Sequence, residues 1–240
     1  MAAAEDFQQP DTVSLLREQG FTRLRPAQMA ASLPVPAAAL AEFAESWNRL
    51  ETDRFMADGG RYRRRRHTSF NALPGRPALR NLHRPHFQAT VHNSLNGGLD
   101  RWFAPVEDAI AHGPALEALL AFGTGVVNDL RPATPWFIEM HQFRIEAAAG
   151  FPGYPTPEGV HHDGVDFVMI AMIARTNLAG GETVITNDAG DELARFTLDG
   201  LLDTAFVDDA RVMHGVSPVK PADATRPSCR DVLVLTWKGL

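Results

Sequence analysis

The chain has 240 residues, of which 45% are hydrophobic and 22% charged, and its formal net charge is -6 at pH 7. That is enough apolar material to bury a full core as one domain, and the negative balance gives no global attraction for a phosphate backbone. A single cysteine, Cys229, excludes an internal disulfide and a thiolate cluster, so a metal would be held by nitrogen and oxygen, for which nine histidines are available.

Met1 to Asp6 lack a basic region followed by an apolar run, and no apolar stretch approaches the roughly 20 residues of a membrane helix, so a soluble, cytoplasmic protein is expected. The chain then starts helical. Asp11 to Glu18 closes at Gly20, and the segment from Pro34 to Arg49 carries Leu40, Phe43, Trp47 and Leu50 at helical spacing behind Ser and Pro start signals. The basic run Arg61-Tyr62-Arg63-Arg64-Arg65-Arg66-His67 reads first as a solvated face. If it is instead a strand, alternation sends Arg61, Arg63 and Arg65 to one side, where they could bind a substrate carboxylate; a local nucleic-acid patch is the third reading. His83, His86, His92 and His112 show no ligand spacing and are assigned structural roles.

A helix is predicted from Pro114 to Leu130, stopped by Pro132 and Pro135. From there the period changes to two. Trp136 to Glu146, Phe167 to Ala174, Thr183 to Thr186, Leu193 to Leu198, Asp203 to Val207, Arg211 to Val216 and Arg230 to Trp237 read as short strands separated by turn clusters. Phe167 to Ile173 is apolar at every position, as a strand covered on both faces should be. The expected architecture is one domain, mainly β with flanking helices: helical support over about 1–130 and a double-stranded β-helix, a cupin-like jelly roll, over about 131–240.

The chemistry concentrates in His161-His162-Asp163 and, some fifty residues on, His214. In an extended chain residues i and i+2 share a face, so His161 and Asp163 point one way and His162 the other. With His214 approaching from across the jelly roll, the set is the two-histidine, one-carboxylate arrangement that holds iron(II) and leaves positions open for a bidentate 2-oxo acid and dioxygen. Arg230 heads the last strand, where a buried charge needs an anionic partner, and the distal carboxylate of 2-oxoglutarate would supply one. Arg226 competes but precedes Pro227 in a loop. Gln142 and Arg144 share a face of the strand preceding the metal motif and are candidate substrate residues beside Arg63 and Arg65.

The stretches Met140-His141-Gln142-Phe143-Arg144, His161-His162-Asp163, Gly180-Gly181-Glu182-Thr183, Val212 to Pro218 and Arg230 to Val234 together resemble the 2-oxoglutarate and iron(II)-dependent dioxygenases of the bacterial L-isoleucine dioxygenase type, a family that includes biofilm, stress and motility proteins. The first 130 residues match chiefly in Arg63 and Arg65. The resemblance implies iron on His161, Asp163 and His214, the cosubstrate carboxylate on Arg230, and hydroxylation of a small substrate, a free aliphatic amino acid or related carboxylate, with release of succinate and carbon dioxide. Two other classes stay open: a cupin-like metal-binding sensor without turnover, and a nucleic-acid oxygenase or binder working through Arg61 to Arg66.

Overall fold

The computed structural model describes residues 11–240 except 58, 60 and 94, so the expectation for Met1 to Asp6 falls outside the described residues. In chain order the helices are α1 (Thr12–Gln19), α2 (Pro26–Ser32), α3 (Ala37–Glu45), α4 (Asp108–Ala111) and α5 (Pro114–Leu130), with a short 3-10 turn at Ser46–Arg49. The strands are β1 (Phe21–Leu24), β2 (Glu51–Thr52), β3 (Arg63–Ala72), β4 (Leu79–Arg80), β5 (Trp136–Ala147), β6 (Phe167–Thr176), β7 (Leu178–Gly180), β8 (Glu182–Thr186), β9 (Glu192–Thr197), β10 (Thr204–Asp208), β11 (Met213–Val216), β12 (Val219–Pro221) and β13 (Ser228–Gly239). None of the described helices is long and apolar enough to cross a membrane.

Local chemistry explains the helices. The Asp11 carboxylate caps α1 by accepting the Ser14 backbone N–H at 2.6 Å, and Pro114 opens α5 where its missing N–H costs nothing. Leu116, Leu119 and Val127 of α5 are fully buried and each contributes about 1.5–3 kcal/mol of apolar transfer. The segment Pro34 to Arg49 is not one helix: it begins at Ala37 and tightens into the 3-10 turn after Glu45.

Among the described residues the strands form an eight-stranded sheet in the order β1-β10-β6-β13-β5-β3-β2, with β4 on β3, facing a three-stranded sheet β11-β8-β9. The apolar β6 lies between β10 and β13, buried on both faces. One face of the large sheet packs on the helices through Ile138, Met140, Leu233, Leu235 and Trp237. The other packs on the small sheet through Val168, Ile170, Val232 and Ile185. This is a double-stranded β-helix braced by helices. The first 130 residues are less helical than expected, because β1 and β3 extend the large sheet, and β3 pairs with β5 from Trp136 to Ile145.

Candidate active site

Alternation on three antiparallel strands builds one wall of a cavity of about 470 Å³. The register pairs Arg65 with Phe143, His67 with His141, and Ser69 with Glu139 across β3 and β5. On the other side of β5 it pairs Glu139 with Thr236, His141 with Val234, and Ile145 with Arg230. Arg63, Arg65, Glu139, His141, Phe143, Arg230, Val232 and Val234 therefore point to the same side and line the cavity, with His161, Asp163 and His214 opposite.

His161 and His214 are brought together differently from the expectation. They do not reach across the jelly roll but form an isolated antiparallel bridge, the His161 N–H donating to the His214 carbonyl at 3.0 Å and the reverse bond at 3.1 Å. Side by side, His161 Nε2 lies 3.5 Å from Asp163 Oδ1 and His214 Nε2 lies 3.6 Å from Asp163 Oδ2. The His161 Nδ1–H donates to the Gly159 carbonyl at 3.0 Å, which leaves Nε2 free as a ligand atom. His162 turns away, its ring nitrogens meeting the Asp209 carbonyl and the Asp188 carboxylate.

Asp209 fixes the loop that carries Asp163. Its buried carboxylate accepts the backbone N–H groups of Asp163, Gly164 and Val165 at 3.0, 2.8 and 3.2 Å, and its Oδ1 stands 4.0 Å from His214 Nδ1. Gly164 closes the turn at φ +81°, and a Cβ there would meet the His92 ring at 2.4 Å. The electrostatics favour a cation at this point. Burial works against a charged His161, but the Asp163 carboxylate beside it and the Glu158 charge prevail and raise it to about 9. Burial likewise opposes ionisation of Asp163, yet His161 beside it holds its carboxyl well below the usual range. Burial lowers His214 to about 4, leaving it neutral. Two imidazole Nε2 atoms and a carboxylate whose ligand atoms all lie within 4.8 Å of one another fit an iron(II) ion with nitrogen and oxygen donors.

Arg230 is buried in the same cavity, and its Nε and Nη2 have no partner among the described residues. Burial, then the neighbouring Arg175, lowers it to about 10. Arg175, opposite Arg230 in the register, has a buried Nη1 with no partner among the described residues, and a Cβ on Gly181 would come within 2.9 Å of it, so the glycine makes room for that guanidinium. The buried Arg230, with the half-buried Arg175 behind it whose Nε stands 3.4 Å from Asp199, offers orphaned donors that can receive a carboxylate. Arg226 stands in a surface turn, where its carbonyl accepts from Asn177.

Several expectations need correction. The basic run is not a solvated face, since Arg63 and Arg65 are only 6% and 3% exposed and are paired with the buried Asp53 at 2.7 and 3.8 Å. Arg61 is exposed and does not join them, while Arg64 and Arg66 face outward to Glu146 and Glu51. With its inner members enclosed, the run presents no continuous patch to a nucleic acid. Gln142 and Arg144 do not face the cavity, because strand parity gives that side to His141 and Phe143. Gln142 donates to Ser46 Oγ at 2.8 Å, and Arg144 makes a two-point pair with Asp231 at 2.7 Å for each bond.

Other cavity residues were missed. His86, Gln88, His92 and Arg101 come from the irregular chain between β4 and α4 and line the cavity, so His86 and His92 are not remote structural residues. Glu139 sits on a predicted strand, and its signal was a lone carboxylate between Ile138 and Met140. Its Oε1 accepts from His67 Nε2 at 2.9 Å and His86 Nδ1 at 2.8 Å.

The family model of the 2OG-Fe dioxygenases matches residues 44–236 of the chain. The chain belongs to the 2OG-Fe dioxygenase family. It is 27% identical over 158 residues to the 3(1)-hydroxy-L-isoleucine 4-dioxygenase of Pantoea ananatis, 64% of each chain, and 26% identical over 156 residues to the L-isoleucine-4-hydroxylase of Bacillus thuringiensis, 63% of this chain and 64% of that one. The matched segments thus span somewhat less than two thirds of these relatives. Among solved structures it resembles a bsmA homolog from Methylobium petroleophilum PM1, with a TM-score of 0.87 and 38% identity over 97% of this chain and 95% of that one. The fold also matches the structure of IDO from Bacillus thuringiensis, with a TM-score of 0.81 at 19% identity, over 95% of this chain and 98% of that one.

Proposed function

We propose that this dioxygenase hydroxylates a small substrate, a free aliphatic amino acid or a related carboxylate, with 2-oxoglutarate as cosubstrate and release of succinate and carbon dioxide. The observation that carries the reading is the convergence of His161 Nε2, His214 Nε2 and the Asp163 carboxylate at 3.5–3.6 Å beside a cavity that also holds the unpartnered Arg230. His161, Asp163 and His214 hold the iron, and Arg230, helped by Arg175, takes the distal carboxylate of 2-oxoglutarate. Bound iron and 2-oxoglutarate together supply the activation of dioxygen; the chain's own residues fix ligands, orient the cosubstrate and enclose the substrate.

Arg65 reaches the substrate's carboxylate and Arg63 stands beside it, a role that suits their burial and the Arg63 Nη2 and Arg65 Nε atoms that have no partner among the described residues. The substrate class follows the names of the relatives, which act on L-isoleucine and a hydroxy-L-isoleucine. The chain acts as one domain, since helices α1, α3 and α5 share a core with the large sheet. We place it in the cytoplasm, where the free, half-buried Cys229 suits a reducing compartment. Succinate formation by the iron-loaded protein with 2-oxoglutarate, measured with and without each member of an amino-acid panel, tests the function. Stimulation by at least one member is expected, and no succinate under any condition would overturn it.

A further inference from the structure

Behind the candidate metal ligands the cavity holds a second cluster, His67, His86, Glu139 and His141, whose ligand atoms also lie within 4.8 Å of one another. Its geometry is that of a hydrogen-bonded network. His67 Nε2 and His86 Nδ1 both spend their N–H on Glu139 Oε1, at 2.9 and 2.8 Å, and His141 Nδ1 accepts from Arg65 Nη2 at 2.8 Å. Glu139 Oε2 has no partner among the described residues and is not among the buried orphans, so it opens to the cavity that Glu139 lines.

The charges around this oxygen are unbalanced. Burial opposes ionisation of Glu139, but the two histidine donors outweigh it and hold the carboxyl well below its ordinary range. Burial lowers His67 to about 4 and pushes His86 and His141 down as well, so three neutral imidazoles surround a carboxylate without neutralising it. Arg65 and Arg101 attract Glu139 through space, but among the described residues no donor fills Oε2, and a charged N–H group fits there. Next to it stand two guanidinium groups with donors to spare. Arg65 is clamped between the Phe103 and Phe143 rings at 3.7 and 4.4 Å, Arg101 is backbone-paired with His86, and Nε of each guanidinium is buried without a partner. Both arginines flank the imidazoles that hold Glu139.

We propose that Glu139 Oε2 receives the ammonium group of the substrate while Arg65 and Arg101 receive its carboxylate, so that the cavity selects an α-amino acid with both groups free. A free α-amino acid carries both charges on one carbon, which suits two subsites that line one cavity. This deepens the functional reading above and rests on it, choosing the amino acid over the simple carboxylate. The other carboxylate of the cavity, Glu158, is set apart: its Oε1 lies 3.4 Å from His161 Nε2, at the candidate metal.

The test uses the full chain loaded with iron(II) and 2-oxoglutarate without oxygen, titrated calorimetrically with the twenty standard L-amino acids. The tightest binder is then compared with its N-acetyl derivative, its methyl ester and its desamino acid, each expected to bind at least about tenfold more weakly, as for the loss of a hydrogen bond to a charged group. E139Q should weaken the free amino acid by a similar factor and leave the desamino acid unchanged. R101Q should weaken the free amino acid but not its ester. The wild-type comparison stands even if a variant fails to fold. Equal binding of the desamino acid, binding of none of the twenty, or the loss appearing in E158Q and not in E139Q would overturn the proposal. Binding of iron and 2-oxoglutarate in the same preparations keeps the functional reading if only the proposal fails, and absence of both in the wild type removes that reading itself.

Discussion

Two groups of histidines and carboxylates share this cavity, and their spacing separates them. In the group formed by His161, Asp163 and His214, nitrogen and oxygen stand 3.5–3.6 Å apart, too far for hydrogen bonds and right for atoms that share an ion. Around Glu139 the contacts are 2.8–2.9 Å, so the protons themselves fill the space between partners. The first group turns two imidazole nitrogens and a carboxylate toward one point, whereas in the second His67 and His86 spend an N–H each on Glu139, which keeps one oxygen for a ligand. Residue types alone would call both metal sites.

The largest effect expected from this contrast is on iron. His161→Ala, Asp163→Ala or His214→Ala should each reduce iron(II) affinity by more than about 100-fold, since each removes a ligand. His162→Ala and His67→Ala should bind one iron per chain as the wild type does. Metal analysis by mass spectrometry after dialysis decides it, and two irons per wild-type chain would erase the distinction between the clusters.

Next comes the cosubstrate. Arg230→Ala should weaken 2-oxoglutarate binding by roughly 2–5 kcal/mol, the cost of losing a buried charge pair, with iron affinity little changed. Arg230→Lys should recover only part, because an ammonium lacks the planar two-point fork. Fluorescence titration with 2-oxoglutarate and with an uncharged 2-oxo acid separates the pair from a fold defect, since only the former should respond.

A smaller effect is expected behind the metal ligands. Asp209→Asn should reduce iron affinity by about 10–100-fold, because an amide oxygen cannot satisfy three backbone N–H groups as the carboxylate does. Unchanged iron binding would mean that the turn at Gly164 holds Asp163 without it.

The smallest is on stability. His67 titrates near 4 in the fold and near 6.5 unfolded, so below 6.5 the unfolded chain takes up the proton first. Each pH unit between 6.5 and 4 should therefore cost about 1.4 kcal/mol for such a histidine. The slope runs opposite for His161, raised to about 9, whose contribution is full below 6.5 and is lost as pH rises through 9. Urea denaturation of the metal-free protein at pH 7.5, 6.5 and 5.5 reads both arms, and His67→Asn should flatten the acid arm alone.

Much of the fold was legible because period and length carry it. The strands from Trp136 onward alternate between turn clusters, and α5 begins and ends where Pro114 and Pro132 place it. β3 was hidden because its inward side chains are arginines, which resemble a solvated face until Asp53, Phe103 and Phe143 are known to enclose them. Gln142 and Arg144 were placed on the wrong side because strand parity cannot be read without register, and a one-residue choice exchanges the two faces. His86 and Arg101 lie in chain with no period to read.

The sequence by itself determined helix α5, most strands after it and the identity of the metal-ligand candidates, since His161-x-Asp163 places two donors on one face through local geometry. Only the tertiary structure decided what stands opposite each of them. The bridge between His161 and His214, the pairing of Arg175 with Arg230, and the meeting of Glu139 with His67 and His86 join residues far apart in the chain. Long-range partners are set by sheet order and register, which arise from packing the whole core and leave no local mark on the residues they bring together.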